Sequence, residues 1–187
     1  IPVKDVNNIN GLTLKLGVIL IRDGMEHQDS TATYLHEIDH AVINSLYTDP
    51  NTRQMVLDAV DDIISGPYGI QDGEGLGYTP DVFADRLNIP RRDTIHGETD
   101  QAYRIRLVNE AIALRDSIVY LFDMGVTLNP QQSSLLYELN EILFGLNNGF
   151  KNLTAEVERI KWDHSVITPG LLDAIASNNQ DNSNRLA

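Results

Sequence analysis

Leu12 to Ile21 (LTLKLGVILI) carries large apolar residues on both faces, ends at Asp23-Gly24, and is the clearest strand signal in the chain. Beyond it the pattern turns helical. Asp29-Ser30-Thr31 offers N-caps for a helix over about residues 31–47, and Asp49-Pro50 opens a second that runs to Ser65 with Gly66 just past its end. Gly66 to Thr79 holds five glycines and reads as a long loop, followed by a short helix from Pro80 to Leu87. Thr99 caps the longest helix, about 100–124, with Gly125 as its stop. Asn129-Pro130 starts another that ends near Gly145–Gly149, and Thr154 and Thr168-Pro169 each begin a shorter one.

This pattern predicts an α+β protein, predominantly α-helical, with a small sheet near the N-terminus. At 187 residues it is most simply one domain. Residues 1–176 form that domain, and the polar run 177–187 has almost nothing to bury and reads as a disordered tail.

The chemistry concentrates in one place: His36-Glu37-Ile38-Asp39-His40. Residues at i and i+4 share a helix face, so both imidazoles reach one ion while Glu37 stands beside them. On a helical wheel Leu35, Ile38, Val42 and Leu46 form one apolar stripe, and His36, His40, Ile43 and Tyr47 form another. A helix apolar on two sides is buried, which points the imidazoles into the protein or a cleft. The chain has no cysteine, so a zinc ion must be held by His, Asp or Glu. A catalytic zinc takes three protein ligands, and the third comes from Glu110, Glu98, Asp100, His96 or His164. Glu110 lies on a stripe with Tyr103, Leu107, Leu114 and Leu121, where a carboxylate is costly to bury unless paired or metal-bound. Its competing role is a salt bridge with Arg106 or Arg115. Asp39 reads either as a support for an imidazole or nearby cation or as a surface charge.

His36, Glu37, His40 and the later Asn109-Glu110-Ala111-Ile112-Ala113, an N-E-x-x-A setting, resemble the gluzincin branch of the zinc metallopeptidases. They are similar also to the small H-E-x-x-H proteases that bacterial pathogens inject into host cells. The resemblance covers under a tenth of the chain. It implies a zincin-like fold, in which a strand leads into the histidine helix, and an effector-type, secreted metalloprotease cleaving a protein substrate. Zn2+ would be held by His36, His40 and Glu110 and would bring the pKa of its water towards neutrality, with Glu37 as the catalytic general base. Tyr68, Tyr78, Tyr103, His96 and His164 are all chemically able to stabilise the oxyanion, and spacing does not choose among them.

HEIDH also occurs in peptide deformylases, but their glycine motif precedes the histidine helix, whereas Gly73-Glu74-Gly75-Leu76-Gly77 follows it here, and their metal-binding cysteine is missing. The net charge of -13 argues against nucleic acid or an anionic membrane as partner and favours a substrate with a basic surface. The competing class is a non-enzymatic acidic helical structural or adaptor protein with an incidental HEIDH run. A third is a zinc fold that keeps metal for stability alone.

Overall fold

The computed structural model describes residues 11–13, 19–21, 26–65, 79–144 and 149–163. Six α-helices form the body: α1 (His27–Thr48), α2 (Arg53–Val60), α3 (Pro80–Leu87), α4 (Asp100–Asp123), α5 (Pro130–Phe144) and α6 (Gly149–Asp163). A π-helical turn, Asp61–Ser65, extends α2.

The expected α+β, zincin-like class is therefore corrected to an all-helical fold. The apolar run Leu12–Ile21 does not make one long strand. Its ends fold back on each other in a three-residue antiparallel pairing, Gly11–Thr13 with Ile19–Ile21, and no strand enters the body among the described residues. Two strands of three residues are too short to form a layer of the body, and every other described element is helical. The glycine-rich segment up to Tyr78, the Thr168-Pro169 helix start and the tail 177–187 lie outside the described residues.

Local capping explains most helix boundaries. The Thr79 and Thr99 hydroxyls accept from Val82 N at 3.3 Å and Ala102 N at 3.1 Å. Asn129 and Gln132 cap each other reciprocally ahead of α5, with Pro130 at the first helical position. Asn88 (φ 57°) closes α3 and Gly125 (φ 79°) follows α4. The last carbonyls of α1 are satisfied from the next helix: Thr52 donates to Leu46 O, and Arg53 to Tyr47 O and Thr48 O. That closes the α1–α2 corner tightly.

Three boundaries differ from expectation. The histidine helix begins at His27, without a side-chain cap, the second helix begins at Arg53 rather than at Asp49-Pro50, and Thr154 lies inside α6, its hydroxyl donating to Phe150 O at 2.8 Å. The true start of α6 is capped from a distance. The π turn aims the Asp62 carboxylate at the backbone N–H groups of Gly149 and Phe150. Gly149 is glycine for a steric reason, since a Cβ there would stand 2.5 Å from the carbonyl oxygen of Asp58. Gly149→Ala should lower stability by about 1–3 kcal/mol, read as a fall in Tm. An unchanged Tm would mean that α2 and α6 do not approach this closely.

One core cluster joins all six helices. Ile38 and Ile43 from α1, Val56 from α2, Ile63 from the π turn, Phe83 from α3, Leu107 and Ile112 from α4, Leu139 from α5 and Leu153 from α6 are essentially inaccessible to solvent. Helix α1 packs chiefly on α4, and these two helices carry the site. Among the described residues, no helix is long and apolar enough to cross a membrane.

Candidate metal centre

His36 and His40 leave the buried face of α1 towards a cleft, and Glu110 leaves α4 towards the same point. One ligand atom from each of the three lies within 4.8 Å of the others. Glu110 Oε2 is 3.4 Å from His36 Nε2, and Glu110 Oε1 is 3.4 Å from His40 Nε2. The two Nε2 atoms are 2.9 Å apart, with the rings perpendicular. Ligand atoms on one tetrahedral zinc at 2.0–2.1 Å stand about 3.3 Å from each other. The carboxylate spacings match that value, and the nitrogen pair is a few tenths of an ångström tighter.

The hydrogen bonds around the trio decide which atoms point inward. Asn109 Nδ2 donates to Asn44 Oδ1 at 3.3 Å, which leaves Asn109 Oδ1 to accept from the Nδ1–H of His40 at 2.8 Å. His40 then presents Nε2 to the cleft. Two imidazole nitrogens and a carboxylate facing one another cannot all keep bare lone pairs at these distances. Either an Nε2–H on His36, as in one of its neutral tautomers, or a metal ion between the three groups relieves that repulsion. Burial works to raise the pKa of Glu110, but the hydrogen bond from His36 and the charges of His40, His36 and Arg106 bring it below the usual glutamate value. The carboxylate thus faces the two imidazoles as an anion.

Glu37, the residue after His36, is buried and lines the same cleft. Among the other candidates for third ligand, Glu98 is paired with Arg106 at 2.7 Å, and Asp100 with Arg104 at 2.7 Å. His96 stands exposed beside Asp93. His164 lies outside the described residues. The salt-bridge role for Glu110 does not form: Arg106 turns to Glu98, and Arg115 to Asn140 and Asp116. Of the oxyanion candidates, the buried Tyr103 gives its hydroxyl to Asp81 at 2.8 Å, while Tyr68 and Tyr78 lie outside the described residues.

Asp39 is not a surface charge. Wholly buried, it faces away from the cleft, and its Oδ1 lies 2.8 Å from Lys161 Nζ of α6. The sequence pattern gave Asn109 only as the neighbour of Glu110, and its bond to His40 depends on how α4 sits against α1. Lys161 had no signal in the sequence, being 122 residues from Asp39.

The cleft has a volume of about 1170 Å3 and follows α1 from Asp29 to Tyr47 and α4 from Gln101 to Leu121. His36, His40 and Glu110 lie near the middle of both stretches. No family model, characterised protein or solved structure matches this chain. The reading of the site therefore rests on its own chemistry.

Proposed function

We propose that the protein is a zinc-dependent hydrolase that cleaves a peptide bond in a protein substrate, built on an all-helical scaffold. The observation that carries this reading is the convergence of His36, His40 and Glu110 from two helices inside the cleft between α1 and α4, beside Glu37. The donor set fits zinc, being two imidazole nitrogens and one carboxylate in the number and spacing that leave a position open. Bound there, zinc supplies Lewis acidity, making water a stronger acid and polarising a carbonyl. The chain's own residues do the rest. Asn109 holds His40 in the tautomer that offers Nε2. Glu37 takes the proton from the attacking water and returns it to the departing amine.

Metal analysis of the purified, zinc-supplied protein tests this. Close to one zinc per chain is expected, falling below a tenth in His36→Ala/His40→Ala. No retained metal would sink the reading and leave an acidic helical binding protein in which a proton bridges the trio. Zinc whose removal by chelator unfolds the chain, with no hydrolysis of peptides from a digested cell lysate, would make the metal structural.

A further inference from the structure

Resting on that reading, we propose that the cleft selects its substrate by an uncharged, bulky apolar side chain next to the scissile bond. The pocket that receives it is formed by Leu114, Ser117, Ile118 and Leu121 of α4 with Leu135 of α5. These residues sit at i, i+3, i+4 and i+7 on α4, so they continue, one turn further on, the face that carries Glu110. A short connection over residues 124–129 returns α5 against α4 and places Leu135 opposite them. The side chains of Leu114, Ser117 and Leu121 are only partly buried, which leaves apolar surface open to a ligand.

Charge decides against a basic substrate at this point. The acidic, basic and imidazole side chains on the cleft wall are Asp29, His36, Glu37, His40, Arg106 and Glu110. Four of these belong to the metal centre. Arg106 is committed to Glu98 and to the carbonyls of Pro90 and Arg91. Only Asp29 remains, at the start of α1. Most of the net charge of -13 is thus carried elsewhere on the molecule, and the wall beyond Glu110 offers a charged side chain only neutral polar groups, those of Ser117, Gln131 and Gln132, and no counter-charge. Burying a lysine or glutamate side chain there would strip much of its hydration without a compensating charge, while a leucine side chain gains by leaving water.

Three small hydroxamates, made from N-acetylated leucine, lysine and glutamate, provide the test. The hydroxamate group grips zinc equally in all three, so calorimetric affinities for the zinc-loaded protein compare the side chains alone. The leucine compound should bind about 10- to 100-fold more tightly than the other two. Ser117→Phe, which fills the pocket, should erase that preference while keeping zinc. Leu121→Asn, at a half-buried position, serves if Ser117→Phe does not fold. Equal affinities, tightest binding of the lysine compound, or a preference untouched by the variants would overturn the pocket and leave the metal site standing. Failure of the wild-type protein to take up zinc or any hydroxamate would overturn both.

Discussion

Glu37→Gln should lower the turnover of the best-cleaved lysate peptide by about 10²- to 10⁴-fold while the protein keeps its zinc and its Tm. The replacement is nearly isosteric, which matters because Glu37 is a buried side chain of the helix that holds both histidines. It removes only the ability to accept a proton. Water deprotonation and protonation of the leaving amine both pass through this one carboxylate in the proposed mechanism, so both the attack and the collapse of the adduct are slowed. KM should change little, because Glu37 forms no part of the apolar wall. Zinc retained at one per chain with turnover unchanged would remove Glu37 from the chemistry. Lost zinc would instead show it to be needed for the metal.

The contrast between His36–His40 and the rest of the site shows what a sequence can carry. The histidine pair was legible because helical periodicity is a local property: four residues set the geometry of two ligands. Glu110 was legible only as a carboxylate on an apolar stripe, one of five candidates. What brings it to the histidines is the packing of α4 on α1, while Glu98 pairs with Arg106, Asp100 pairs with Arg104, and His164 lies outside the described residues. Helix starts followed the same division. Thr99 and Asn129 are legible as helix starts and cap with their own side chains, as does Thr79, which the sequence reading leaves in the loop before Pro80. The start of α6 uses the Asp62 carboxylate, 87 residues away from Gly149, and Thr154, which looks like a cap, bonds back into its own helix instead. The N-terminal run misled for a similar reason. Its residues favour extended backbone, but a sheet depends on partners, and the described remainder of the chain is helical.

Lys161→Met should destabilise the fold by about 3–5 kcal/mol, the cost of breaking a buried ion pair by removing one partner. For a domain of this size that is a Tm lower by roughly 10 °C. Lys161 Nζ stands 2.8 Å from Asp39 Oδ1, 2.6 Å from Asp116 Oδ2 and 2.9 Å from Glu158 Oε1, with its side chain almost wholly enclosed. It ties α6 to α1 and α4 directly behind the histidines. Three carboxylates around one ammonium leave an excess of negative charge, and burial together with the Asp116 charge pushes the Asp39 carboxyl well above the usual range. Burial works to lower the Lys161 pKa, but the charges of Asp39, Asp116 and Glu158 raise it above the ordinary lysine value. The contribution of Lys161 is accordingly complete below that ordinary value and fades as pH rises through its higher folded one. In the Met variant the lost ammonium raises the folded pKa values of the carboxylates, so the folded state binds more protons than the unfolded. Its stability deficit should therefore shrink between pH 7 and pH 5, opposite in sign to ordinary acid weakening. Adding Asp39→Asn removes the most deeply buried of the stranded charges and should recover part of the loss, the mark of coupling within one cluster. Urea unfolding of the two variants and the wild type at both pH values measures all of this. A loss under about 1 kcal/mol, or a deficit that grows on acidification, would mean that Lys161 does not hold α6 to the helix of His36 and His40.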